Sequence, residues 1–190
     1  MEKRTHKILI AATGSVAAIK VPNLIKTLLD SSSSLKDLEV RVIQTEHAKH
    51  FFVSDDTPAP CMIYDDNSEW NTWCRIGDPV MHIELGKWAD LMVIAPLDAN
   101  TLAKMAQGIC DNLVTCTTRA WPMHKPLLFC PAMNTRMWEH PITAQQIAIL
   151  QSWGHEMVSP ISKLLACGDV GIGAMAEVAT IVEKIFERLK

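Results

Sequence analysis

Apolar residues in this chain fall into short blocks divided by turn-forming stretches. Lys7 to Ala12 is such a block, too short for a buried helix and rich in isoleucine and leucine, and it predicts a strand. From Ala17 to Leu29 the spacing changes, and Ile19, Leu24, Ile25, Leu28 and Leu29 recur on a helical period. Glu39 to Ile43, Leu91 to Ala95 and Leu127 to Cys130 predict further strands, each followed by a helix-competent segment. A final helix over Glu177 to Leu189 carries Val178, Ile181, Val182, Ile185 and Leu189 along one face. Alternating strands and helices imply an α/β fold, a doubly wound parallel sheet of Rossmann-like type covered on both faces.

The connections fit one domain over residues 1–190. Ser31 to Ser34 reads as a surface loop, and Asp55 to Asn67, with Pro58 and Pro60, as a longer connection around the short apolar piece Cys61 to Tyr64. No repeat of fixed period interrupts this plan. At 190 residues and 48% hydrophobic content, one core can bury about 70% of the unfolded-chain surface.

Charge and cysteine content narrow the function classes. A formal charge of -3 with scattered basic residues gives no field for collecting nucleic acid. Lys3, Arg4 and Lys7 before Ile8 to Ala12 imitate a secretory leader, but the run breaks at Thr13-Gly14-Ser15 and meets Lys20. No stretch reaches the ~18 apolar residues of a membrane span, so the expectation is a soluble, cytoplasmic protein with no membrane partner. Six cysteines show no Cys-x-x-Cys pair and no zinc-like spacing to histidine; most read as small buried hydrophobes, and no metal site is expected.

Ligands of an open parallel sheet gather beyond the carboxyl ends of its strands, and four segments fall there. In Thr13-Gly14-Ser15-Val16-Ala17-Ala18, Gly14 permits a tight turn, and Ser15 can offer a hydroxyl and an amide to an anion. The second and third glycines of a dinucleotide fingerprint and the Gly-Lys-Ser/Thr of a triphosphate loop are both missing, so a single phosphate fits better. Thr45 follows the second strand and Pro96, Leu97, Asp98, Ala99, Asn100 and Thr101 follow the third apolar one, at the same edge. Asn100 and Thr101 are also good helix starters.

The other two segments carry a family resemblance. Pro131-Ala132-Met133-Asn134-Thr135-Arg136-Met137-Trp138 resembles the Pro-x-Met-Asn-x-x-Met-Trp signature of the homo-oligomeric flavin-containing cysteine decarboxylases. Ala166-Cys167-Gly168-Asp169-Val170-Gly171-Ile172-Gly173-Ala174-Met175 resembles that family's substrate-covering flap. With Gly14-Ser15-Val16-Ala17, Val80-Met81-His82-Ile83-Glu84 and Ala95 to Thr101, the likeness runs from about Lys7 to Val182.

The resemblance implies FMN as cofactor, 4'-phosphopantothenoyl-cysteine as a small-molecule substrate, and a homotrimer whose active site lies at the subunit interface. It also implies that His82 and Cys167 are catalytic. Asn134, Ala132, Met133 and Met137 should bind substrate. Gly14, Ser15, Val16 and Thr45 should surround the flavin phosphate, with Phe51 and the 96–101 segment near the flavin.

Chemistry agrees with a flavin. Direct loss of CO2 from an acylated cysteine leaves a carbanion with no electron sink, and pyridoxal phosphate would need a free amine that this substrate lacks. Oxidising the thiol to a thioaldehyde places the carboxylate β to a C=S group, so that its loss gives a stabilised ene-thiolate. The family assigns the later proton delivery to Cys167, a role that a thiol suits. Three glycines between 168 and 173 read as a hinged lid. His82, near a helix start, can act as base toward the thiol or position the carboxylate. Asn134 can both donate and accept without adding charge.

Lys87, Lys163 and Arg75 are the candidates for the substrate's phosphate end. Other readings are a decarboxylase of peptides ending in cysteine, a flavin prenyltransferase and a regulatory phosphatase-inhibitor relative. The long acidic extensions of the regulatory class are missing, and a prenyltransferase would not carry His82, Asn134 and Cys167 together.

Overall fold

The computed structural model describes residues 5–31, 38–58, 61–164, 168 and 170–189. β1 (His6–Ala12), β2 (Leu38–Gln44), β3 (Met62–Tyr64), β4 (Leu91–Leu97), β5 (Leu127–Pro131) and β6 (Glu156–Met157) form one sheet in the order β3-β2-β1-β4-β5-β6. All of its pairings are parallel. This is the doubly wound order, whose chain reversal opens a crevice between β1 and β4.

Alternation along β1 sets the two layers of the core, since successive side chains leave a strand on opposite faces. Ile8, Ile10 and Ala12 pack with α1 (Val21–Asp30) and α8 (Val178–Arg188). Leu9 and Ala11 pack on the other side with α3 (Met81–Trp88), α4 (Ala99–Gln107), α5 (Leu113–Arg119) and α7 (Pro141–Ser152). β4, the central strand, is buried along its whole length, as expected of a strand covered on both faces. Among the described residues no helix is long and apolar enough to cross a membrane.

Several expectations need correction. The helix expected over Ala17 to Leu29 is two elements, a 3-10 turn at Val16–Lys20 and then α1. Pro22 sits in the first turn of α1, where its missing N–H costs nothing and a new helix can start. Within the supposed connection 55–67, Met62–Tyr64 pairs with Arg41–Ile43 as the edge strand β3. The segment after it is α2 (Asp66–Thr72), begun by a reciprocal cap between Asp65 and Ser68.

Asp98, and neither Asn100 nor Thr101, caps α4, its side chain accepting from Thr101 N. Part of the glycine-rich segment, Val170–Ala174, is strand β8 and pairs antiparallel with β7 (Ile161–Leu164); Ala166, Cys167 and Asp169 lie outside the described residues. Ser32 to Ser34 of the expected loop lie outside the described residues. Of the described cysteines, Cys74 and Cys110 are exposed, Cys61 and Cys116 part-buried and Cys130 buried, so burial is not the general rule.

Candidate functional site

Three loops are tied together at the carboxyl edge of the sheet. Buried Thr13 donates its hydroxyl to Pro96 O at 2.9 Å and accepts from Asp98 N at 2.8 Å, joining the ends of β1 and β4. Thr45 N donates to Ala12 O at 3.0 Å and brings the end of β2 alongside. Gly14 is required for this closeness, because a β-carbon there would stand 2.7 Å from His47 Cβ and 3.3 Å from Asp98 Oδ2.

The same edge holds unmet hydrogen-bonding capacity. Thr45 Oγ1 and Gln44 Oε1 are buried with no partner among the described residues, and a buried polar atom left unpaired costs roughly 1–3 kcal/mol. A bound ligand rich in phosphate and hydroxyl oxygens would satisfy both atoms. Ser15 differs from expectation, since its amide already donates to Thr13 O at 2.8 Å and its hydroxyl accepts from Ala17 N at 3.3 Å. Only its O–H hydrogen is left to offer. Leu97 and Thr101 are buried in the body of the protein, and Phe51 packs part-buried against the α1/α8 core, edge-on to His50.

Beyond Ser15 a cleft of about 630 Å³ opens, within the range of small-molecule sites. Ser15, Val16 and Ala17 form one wall, Ala132, Met133 and Asn134 after β5 a second, and the β7/β8 hairpin the third. Asn134 caps α6 (Thr135–Trp138), its Oδ1 accepting from Arg136 N at 2.8 Å. Met133 belongs to the core and to the cleft wall alike. Met137 is half exposed and does not line this cleft.

Two lysines stand at the cleft. Lys20 and Lys163 both line it and share Glu177, at 3.4 and 3.1 Å; Lys163 foremost, with Lys20, holds that carboxyl below its ordinary range. Two ammonium groups against one carboxylate leave a net positive charge for an anionic ligand end. Of the cations expected to serve a phosphate, Lys163 is at the cleft, whereas Lys87 pairs with Glu84 and Arg75 with Asp78 on the outer surface. Lys20 escaped the sequence reading, although a basic residue closing the first turn after β1 was visible there.

His82 does not line this cleft. It lies in the first turn of α3, and its Nδ1 contacts Glu69 Oε1 of α2. Cys116 Sγ of α5 completes a group whose ligand-type atoms lie within 4.8 Å of one another, a juxtaposition that spacing along the chain did not suggest. Burial, and after it the charge of Glu69, pushes the Cys116 thiol up to about 11. Cys167 lies outside the described residues.

A doubly wound sheet with one polar cradle and an apolar-walled cleft at its carboxyl edge is the architecture of a mononucleotide-binding protein. The Flavoprotein family model matches residues 1–190, and the chain belongs to that family. It is 57% identical over 184 residues to phosphopantothenoylcysteine decarboxylase of Mus musculus, covering 97% of this chain and 87% of that one. A cysteine-to-serine mutant of PPC decarboxylase, complexed with pantothenoylaminoethenethiol, superposes with a TM-score of 0.91 at 47% identity over 97% of this chain and 98% of the other. The FMN binding protein AtHal3 follows with a TM-score of 0.87 at 47% identity, over 97% and 96%.

Proposed function

We propose that this protein is a phosphopantothenoylcysteine decarboxylase that, with FMN bound, converts 4'-phosphopantothenoyl-cysteine to 4'-phosphopantetheine and CO2 on the route to coenzyme A. The observation that carries the reading is the meeting of the Ser15–Ala17 turn, the Ala132–Asn134 loop and the β7/β8 hairpin in one cleft, in a chain 57% identical to its mouse relative.

Gly14, Ser15, Val16 and Thr45 would hold the FMN phosphate, with Gln44 turned to its hydroxyl-bearing chain and Phe51 and the 96–101 segment close by. FMN, when bound, would supply the two-electron oxidation of the substrate thiol that makes loss of the carboxylate favourable, and would return those electrons afterwards. Asn134 orients the substrate: one amide accepts from its N–H and donates to its carboxylate, where an aspartate would add a second negative charge. Ala132 and Met133 give the reacting carbons an apolar wall, and Cys167 delivers the proton that replaces CO2. His82 serves the thiol as base or positions the carboxylate.

Lys20 and Lys163 favour a substrate with an anionic end over an uncharged peptide. The reading includes a cytoplasmic homotrimer with shared sites. Trp70 is 73% and Ile76 95% exposed, and Trp73, Val80 and Ile83 join them on one stretch of chain. Apolar exposure of this kind marks contact surfaces, and it brackets His82. Contact between copies through this stretch would bring His82 of one copy toward the cleft of the next.

The test supplies phosphopantothenoylcysteine, its unphosphorylated form and a cysteine-ended peptide to the flavin-loaded protein without oxygen, and follows CO2 and product mass. Turnover of the phosphorylated compound in preference to the peptide is expected. Flavin-loaded protein that leaves it untouched would overturn the proposal.

A further inference from the structure

Glu69 and His82 meet from two separate helices and are both shielded, their side chains 13% and 26% exposed. The contact joins Glu69 Oε1 to His82 Nδ1. An ionised carboxylate only accepts hydrogen bonds, so a neutral imidazole facing it carries its proton on Nδ1 and its lone pair on Nε2. Cys116 Sγ lies within 4.8 Å of both ligand atoms, but with its thiol raised to about 11 it is neutral at neutral pH. The negative charge that His82 touches is therefore that of Glu69.

The glutamate is also braced in a way that a solvated surface residue is not. Its helix begins with the Asp65–Ser68 cap, and Asp65 pairs with Lys49 at 2.7 Å. Asp66 Oδ1 accepts from Leu113 N at 2.7 Å and pins α2 to the start of α5. These ties, two of them through Asp65, anchor the start of the helix from which Glu69 projects. His82 sits in the first turn of α3, whose N-cap, Val80, makes no side-chain capping bond.

We propose that Glu69 is a positioning residue for His82, holding the imidazole in the Nδ1-protonated tautomer and presenting Nε2 to the substrate. The inference rests on the reading that His82 serves the decarboxylase, and it adds what sets the tautomer. A carboxylate behind an imidazole plays this part in hydrolase triads, where the corresponding amide yields the wrong tautomer.

The experiment compares wild-type holoprotein with Glu69→Gln and Glu69→Asp, using isotope-labelled histidine and nitrogen NMR alongside kinetics with phosphopantothenoylcysteine. The His82 signals are assigned by their loss in His82→Gln. Wild type should show Nδ1 protonated. In Glu69→Gln the amide can donate to Nδ1, so the pattern should shift toward protonated Nε2. Its kcat should fall roughly 10- to 100-fold, as for other lost orienting partners, with KM nearly unchanged.

Glu69→Asp keeps the charge at shorter reach and should retain the tautomer and an intermediate kcat. It carries the comparison if the glutamine variant does not fold. An unchanged tautomer and unchanged kcat in Glu69→Gln, or a kcat in Glu69→Asp no higher than in Glu69→Gln, would overturn the proposal. If wild type leaves the substrate untouched, the decarboxylase reading fails on its own, while the NMR pattern still decides whether Glu69 sets the tautomer.

Discussion

The backbone N–H of Met133 donates to the carbonyl oxygen of Gly173 at 2.9 Å, fastening the β7/β8 hairpin to the loop that carries Asn134. The fit depends on glycine twice. Gly173 has a φ of 137°, and a β-carbon there would collide with the Met133 carbonyl; one at Gly171 would stand 2.5 Å from Thr135 Oγ1. Gly173→Ala should therefore push the hairpin off the cleft at a cost of about 1–3 kcal/mol. The expected readouts are a lower melting temperature and a loss of kcat/KM exceeding that of Gly168→Ala, which meets the same kind of backbone strain at a φ of 89° but has nothing within 4 Å of its Cβ.

Thr45→Val tests the cradle with opposite signs in two states. Without flavin the change removes a buried hydroxyl that has no partner among the described residues, so stability should hold or rise. With flavin it removes a hydrogen bond to a charged group, worth about 1.5–3 kcal/mol, so FMN should bind roughly 10- to 100-fold more weakly. Flavin fluorescence titration and apoprotein melting check the pair. Equal FMN affinity would remove Thr45 from the cradle.

Much of this was legible along the chain because strand and helix periods are local properties. β1, β2, β4 and β5 announce themselves as short apolar runs, and the residues that line the cleft lie where those runs end. β3 did not, because a three-residue edge strand is half exposed and carries too few positions to show a period. The glycines at 171 and 173 were read as flexibility, whereas here they serve close approach, and sequence cannot tell the two uses apart. Glu69 escaped because its value lies in a contact 13 residues away across a turn, which no helical or strand period encodes.

Lys163→Ala and Lys20→Ala should each raise KM for the phosphorylated substrate, together by roughly tenfold or more, since a hydrogen bond to a charged group contributes about 1.5–3 kcal/mol. The unphosphorylated analogue should be nearly indifferent to both changes. Steady-state kinetics on the two substrates separate a phosphate contact from a general loss of the hairpin, which would weaken both alike.

Cys167→Ser should uncouple the loss of CO2 from the proton delivery that completes the product. A hydroxyl is a far weaker acid than a thiol and would be slow to protonate the ene-thiolate. One equivalent of CO2 without phosphopantetheine, with the decarboxylated enethiol retained on the protein, is the expected result by mass spectrometry. Normal turnover would move the acid elsewhere.

Asp65 links acid stability to the helix that carries Glu69. Burial alone would raise its carboxyl, but hydrogen bonds from Lys49 and Ser68 outweigh it and hold the group at about 2 instead of 3.8. A folded-state value below the unfolded one gives stability that is present above the unfolded value and lost as pH falls through the folded one. The window is therefore from about pH 4 down to about pH 2, and the contribution at neutral pH is about 2 kcal/mol. The side chain is only 20% exposed, so water screens the pair less than it would a surface bridge. In an Asp65→Asn variant the new amide would still cap α2, which isolates the charge from the cap. The variant should unfold at lower urea than wild type at neutral pH, and the gap between the two midpoints should close as pH approaches 2. A gap that persists at that pH would mean that the Asp65 charge, and with it the Lys49 pair, is not the source of the difference.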